Sequence, residues 1–205
     1  MNLLAAINDE PLKPCIVLGL FYGLRRSEVL GLRWQDIDFK RDVIHIKNTV
    51  VQIKERVEAE HTKNAASATD MHIVPETKEY LLSLKRQHAE NRLLCGASYA
   101  LNDHVCARVD GSDFQPGYVS KYFKKILEKN NLPIIKFHEL RHTAGSRLLK
   151  SGASMKQVQE YLRHGSMQST MIYLHGDACE DKKEMSVAVG KLFAGNAAIN
   201  VLEKY

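Results

Sequence analysis

The densest polar cluster in the chain, His138-Glu139-Leu140-Arg141-His142, stands at the head of a helix. The segment follows Pro133 and a short apolar run, and its apolar side is Leu140, Ala144, Leu148 and Leu149. Two imidazoles, a carboxylate and a guanidinium thus crowd one turn of a helix whose other side is core-forming. Around it the periodicities are mainly helical. Residues 2–8 and 12–22 read as helices broken near Pro11 and Pro14, and residues 25–33 continue at helical spacing. Val43 to Lys47 alternates as a strand, Val50–Val57 is a second strand-like run, and His72–Val74 a third after a polar loop at Lys63–Asp70. Pro75 opens a helix over Glu76–Leu94, because proline suits a first helical turn. Residues 95–116 are irregular. Further helices are expected at 117–129, 138–151, 155–163, 167–174 and 178–194. The expectation is an α+β domain, mainly helical, with a small antiparallel sheet near its front.

Composition narrows the class. At 205 residues, 44% hydrophobic and 26% charged, the chain is an ordinary globular one, neither disordered nor collagen-like. No apolar run reaches the ~20 residues of a membrane span, and the N-terminus lacks the basic flank of a signal peptide. Cys15, Cys95, Cys106 and Cys179 are scattered without a CxxC pair, which points to reduced thiols and a cytoplasmic location. The net charge of +5 permits a polyanionic partner. Residues 176–205 sum to −1, so the last thirty residues do not read as a nucleic-acid arm.

Read literally, His138-Glu139-x-x-His142 matches HExxH, in which two histidines on one helix face hold zinc and the glutamate acts as base. A third metzincin-type histidine would fall at Leu148, and the fixed charge of Arg141 opposes a bound dication. Glu160 is a third ligand that spacing permits but nothing singles out. The same five residues fit a second template in which Arg141 matters most. They begin HELRHTAGSRLLKSGASMKQVQEYLRHGSMQSTMIYLH, with His164 and Tyr173 downstream. Upstream stands GLRRSEVLGLRWQDID at residues 23–38, and between the two lies Thr62-Lys63.

Taken together these segments resemble the tyrosine recombinase (phage integrase) family, over about residues 10–194. The resemblance implies that family's catalytic-domain fold for residues 1–194, with 195–205 as a tail. It implies that Arg25 and Arg141 are the two catalytic arginines, His138 the leading histidine of H-x-x-R, and His164 the later His/Trp. It further implies Lys63 as the hairpin lysine and Tyr173 as the nucleophile. Glu28 is expected to brace the arginines, and His142 to play a supporting part. The implied reaction is cleavage and rejoining of double-stranded DNA through a 3′-phosphotyrosyl intermediate, for integration or excision of a mobile genetic element. No cofactor or metal is implied. The implied partners are DNA, three further copies in a homotetramer, and accessory DNA-bending or directionality factors; a membrane is not among them. An upstream DNA-clamping domain is expected outside this chain. The competing enzymatic reading is a type IB topoisomerase-like relaxing enzyme.

Single residues have plainer readings. Arg25 and Glu28 are spaced i,i+3 and form an ordinary helix ion pair. Tyr173 alone would be a packed amphipathic residue, His164 a cap histidine and Lys63 a solvated hairpin lysine. Trp34 reads as core, without a catalytic role. Two positions depart from the family pattern. Arg163 stands where the family has glycine before the late histidine, and it would be strained if that turn needs positive φ, unless Gly165 supplies the freedom. Ala68 to Met71 stand where a basic pair is common.

Overall fold

The computed structural model describes residues 3–52, 56–59, 69–164 and Thr170. In chain order the elements are α1 (Leu3–Ala6), α2 (Lys13–Phe21), α3 (Arg26–Gly31), a 3-10 turn at Trp34–Asp36 and the strands β1 (Ile37–Asp38), β2 (Val43–Ile46), β3 (Thr49–Gln52), β4 (Arg56–Ala59) and β5 (Thr69–His72). Then come α4 (Pro75–Cys95), α5 (Pro116–Lys129), α6 (Glu139–Lys150) and α7 (Met155–Leu162). The helical expectation holds, with sharper ends. Pro14 does not break its helix, because it lies in the first turn of α2, where no intrahelical N–H is lost.

The sheet departs more from the sequence reading. The run 50–57 is not one strand: β3 and β4 pair antiparallel as a hairpin, with Val51 opposite Val57. A separate antiparallel sheet has the order β1-β2-β5, with Ile44 opposite Met71. Its third strand lies at 69–72, earlier than the 72–74 expected, because Thr69 and Asp70 pair with Ile46 and His45. The expected helices at 167–174 and 178–194 lie outside the described residues apart from Thr170, which is helical.

One core joins these layers. Ile16 and Leu18 of α2, Val29 and Leu30 of α3, Ile44 of β2, Leu81 of α4, Phe123 of α5 and Leu140 of α6 all belong to it. Trp34 is buried as expected, its Nε1–H donating to His88 Nδ1 at 3.4 Å. A three-member hydrogen-bond ring ties the end of α2 to the start of α4. The Val74 N–H donates to the Tyr22 hydroxyl, that hydroxyl donates to Thr77 Oγ1, and the Thr77 hydroxyl donates to the Val74 carbonyl. Every polar atom buried there is thereby satisfied.

Two glycines let backbones meet where the site will form. Gly23 (φ +59) makes the turn from α2 into α3, with a conformation that side chains resist. Gly31 closes α3 against the chain entering β3, where an added Cβ would lie 2.5 Å from the Asn48 carbonyl oxygen. Since the obstacle is backbone, Gly31→Ala should destabilise the fold by ~1–3 kcal/mol, as overpacking does. Urea unfolding reads this directly; an unchanged midpoint would mean that α3 and β3 are not pressed together.

Candidate active site

The start of α3 places the first arginine. Glu28, at the third helical position, reaches back to the Arg25 backbone N–H (2.8 Å to Oε2) and takes the Arg25 guanidinium at 2.7 Å on Oε1. This pattern satisfies an orphan N–H of the helix start and clamps the side chain in the same stroke. Glu28 is 1% exposed and Arg25 37%, so one edge of the guanidinium is held while another meets solvent.

The start of α6 places the second. Arg141 is 1% exposed. Its Nη1 donates to the Gly23 carbonyl at 2.7 Å, its Nη2 to the Leu162 carbonyl, and its Nε to His164 Nε2 at 3.3 Å. A buried guanidinium thus joins the α2–α3 turn, the end of α7 and the following histidine. Because His164 Nε2 accepts from Arg141, the ring proton belongs on Nδ1, which lies 2.9 Å from Thr170 Oγ1. Thr170 is fully buried and stands three residues before Tyr173 in the sequence.

His138 and His142 flank Arg141 on α6, their rings edge to face at 5.2 Å. All three histidines titrate below their ordinary value. Burial is the largest cause for His138, followed by the charges of His142, Arg141 and Arg25. Burial also leads for His142, where Glu139 pulls upward and Arg141 downward. For His164, burial and then the charges of Arg141 and Arg25 push the value down to about 4. The site at neutral pH therefore carries charged guanidiniums and neutral imidazoles.

The residues named from sequence thus divide cleanly. Arg25, Glu28, His138, Arg141, His142 and His164 come together around the junction of α3, α6 and the end of α7. Lys63 and Tyr173 lie outside the described residues. As to zinc ligation, the Glu139 carboxylate accepts the Lys136 backbone N–H at 2.5 Å, and Glu160 reaches Lys156 at 4.0 Å. Among the described residues no third His, Cys, Asp or Glu joins the pair of histidines in a metal-binding group.

Beside the arginines runs an open groove of about 1050 Å³, lined among others by Arg25, Arg26, Lys124, Lys136 and His138, with Val50 and Val51 of the hairpin as an apolar wall. The charged lining is thus four fixed cations against the carboxylate of Glu139. Arg26 is held across the groove by Ser120 of α5 at 2.5 Å. Sequence reasoning did not single out Arg26, Lys124 or Lys136, since nothing but their position in the fold distinguishes them from other surface cations. It also missed the partner of Arg163. That residue takes the left-handed conformation (φ 55, ψ 47) that ends α7, while Gly165 lies outside the described residues. Its buried Nη2 pairs with Glu28 Oε2 at 2.9 Å.

Comparison with known proteins identifies the family and the fold. The phage integrase family matches the chain over residues 2–180. The chain belongs to the phage integrase family. A tyrosine recombinase XerC-like protein of Caldanaerobacter subterraneus subsp. tengcongensis is 30% identical over 188 residues, covering 83% of this chain and 47% of the relative. The tyrosine recombinase XerC of Thermodesulfovibrio yellowstonii is 32% identical over 170 residues, covering 78% and 49%. The chain therefore spans about half the length of these relatives. Among solved structures, the Tn1549 transposon integrase in complex with transposon right end DNA superposes with a TM-score of 0.71 at 20% identity, covering 89% of this chain and 62% of that one. XerA recombinase gives 0.70 at 17% identity, covering 90% and 60%. The fold is that of the integrase catalytic domain, as the sequence motifs imply.

Within this phage integrase domain the depressed histidines make stability depend on pH in a definite direction. A histidine held neutral in the folded chain is protonated first in the unfolded chain. Its contribution is full above the unfolded value of about 6.5 and is lost as pH falls towards the folded value, about 4 for His164. The urea midpoint should fall between about pH 7 and about pH 5, where few carboxylates titrate, and His164→Asn should flatten that slope. A slope unchanged by the substitution would show that His164 is not held neutral by its burial beside Arg141 and Arg25.

Proposed function

We propose that this chain is the catalytic domain of a site-specific DNA recombinase that cuts and rejoins double-stranded DNA through Tyr173. The observation that carries the reading is the convergence of Arg25, His138, Arg141 and His164, distant in sequence, beside a basic groove. Several cations bearing on one spot otherwise repel, and a phosphate group relieves that repulsion.

In this mechanism the Tyr173 phenol attacks the scissile phosphorus and the 5′ oxygen departs, leaving a 3′-phosphotyrosine. The phosphorane on the way carries extra negative charge on its nonbridging oxygens. Guanidinium groups are permanently charged, so Arg25 stabilises that charge through the fork edge it leaves open, and the buried Arg141 through its field. His138, neutral at pH 7, accepts or donates a single hydrogen bond there, and with His164 it assists the phenol proton on its way out. Lys63 protonates the departing 5′ oxygen. Rejoining reverses these steps. Neither metal nor ATP is required, because the phosphotyrosine conserves the energy of the phosphodiester. The neighbours in complexes with DNA, the Tn1549 integrase among them, support DNA as the substrate. The working assembly is a homotetramer in the cytoplasm that exchanges strands in pairs, with accessory bending or directionality factors. Among the described residues no helix is long and apolar enough to cross a membrane. The type IB topoisomerase reading shares this chemistry and separates from it by relaxing supercoils without a defined site.

The decisive assay uses a nicked suicide DNA substrate at low salt, where phosphate contacts are strongest. The wild-type chain should form a covalent protein–DNA adduct in the presence of EDTA, and Tyr173→Phe none. Arg25→Lys keeps the charge but loses the fork, and should slow adduct formation by roughly 10²–10³-fold. An adduct that survives Tyr173→Phe would overturn the assignment of the nucleophile.

A further inference from the structure

Arg163 occupies a costly position. It ends α7 in the left-handed region at φ 55 and ψ 47, where a residue with a Cβ pays about 1–2 kcal/mol relative to glycine. Its side chain is nevertheless buried, with 1% exposed, so its charge has also left water. The buried charge is answered at two of its three nitrogens, Nε having no hydrogen-bond partner among the described residues. Nη2 pairs with Glu28 Oε2 at 2.9 Å, and Nη1 meets the Sδ of Met71 on β5 at 3.1 Å. That same Oε2 accepts the Arg25 N–H, and Oε1 holds the Arg25 guanidinium. Glu28 therefore stands between two arginines, one facing the groove and one behind it.

We propose that Arg163 is a positioning residue for the cleavage reaction, fixing Glu28 and hence Arg25 from behind while it fixes the backbone that presents His164. The inference rests on the functional reading above and extends it to a residue that touches no substrate. Three features argue for it. Without Arg163 the Glu28 carboxylate is held only by Arg25, through its backbone N–H on Oε2 and its guanidinium on Oε1; a second guanidinium on Oε2 ties the carboxylate to another element of the fold. The Glu28–Arg163 pair joins the first turn of α3 to the last turn of α7, the two elements whose carbonyls at Gly23 and Leu162 hold Arg141. And His164, which accepts from Arg141, is the next residue in the chain. One side chain thereby sets the relative placement of both catalytic arginines and one histidine.

A purely stabilising ion pair makes a different prediction, and the test separates the two. Arg163→Gly relieves the left-handed conformation while removing the pair, whereas Arg163→Lys retains a charge without the fork. In single-turnover cleavage of the suicide substrate at saturating DNA, Arg163→Gly should be slowed by about 10- to 100-fold, the scale of a small misplacement of catalytic groups. Its DNA affinity should stay within about twofold, since no phosphate contact is lost. Arg163→Lys should recover part of the rate, and millimolar guanidinium chloride should recover part of the rate of Arg163→Gly. Urea unfolding of Arg163→Met, Glu28→Gln and the double variant tests the pair itself without any reaction, and the losses should be less than additive. Wild-type cleavage with Arg163→Gly equally fast overturns the proposal. Slow cleavage that neither lysine nor guanidinium improves, in a variant with a lowered unfolding midpoint, overturns it in favour of a structural role. Absence of any wild-type adduct, with the coupling between positions 28 and 163 intact, sinks the recombinase reading and leaves the pair a feature of stability alone.

Discussion

A guanidinium buried to 1% exposure has given up its hydration, and the energy must come back from fixed acceptors. For Arg141 those acceptors are the carbonyls of Gly23 and Leu162 and the ring nitrogen of His164. These three are neutral dipoles, which answer desolvation without cancelling the charge. The arrangement requires the α2–α3 turn and the end of α7 to approach α6 together. It also requires Gly23 to turn its backbone with positive φ so close to Leu162 and Arg141 that a side chain would not fit. Lysine could not replace this residue, because its three donors radiate from one nitrogen, whereas the acceptors here are met by three separate guanidinium nitrogens. The fold around the site follows from how this one side chain is satisfied.

Charge accounting extends the point. Arg25 and Arg163 flank the buried carboxylate of Glu28, which pairs with both, while Arg141 is held by neutral acceptors. The surplus of positive charge falls on the side of Arg141 and on the exposed edge of Arg25. Three neighbouring imidazoles respond by remaining neutral, since each would add a like charge in a partly buried place. A neutral His164 with its Nδ1 proton directed at Thr170 is an acceptor towards Arg141 and a donor towards the segment that precedes Tyr173. Fixed cations supply the field and neutral rings supply adjustable hydrogen bonds, a division suited to a reaction in which charge appears on phosphate oxygens and a proton must move.

Much of this was legible in the sequence, for identifiable reasons. Helices showed through their periodicity and through Pro75 in a first turn, whereas Pro14, read as a break, lies in the first turn of α2, and Pro116, read as irregular, opens α5. The six residues around the arginines were legible because motifs with a chemical logic preserve residue type and order. What escaped was whatever depends on long-range pairing. The division of residues 50–57 between β3 and β4, and the start of β5 at Thr69, are decided by partner strands, and local alternation carries no trace of them. Lys124 and Lys136 become groove residues only once α5 and the segment before α6 are brought beside Arg25. Arg163 was visible as a departure from a glycine, and its strained conformation could be anticipated. Its compensation could not, because Glu28 lies 135 positions away in the chain.

That last case shows how a local rule and a site-level demand trade against each other. Glycine at the end of α7 is the better choice for the backbone, and arginine is the better choice only if Glu28 needs a second partner. The loss in the left-handed region is of the order of 1–2 kcal/mol, whereas leaving one member of a buried charge pair exposed to an apolar wall costs about 3–5 kcal/mol. Here Met71 and the end of α7 close over the Glu28 carboxylate, so that the arginine and the closure are two halves of one solution. Local strain is tolerated at position 163 because it is coupled, through a single carboxylate, to the aim of Arg25.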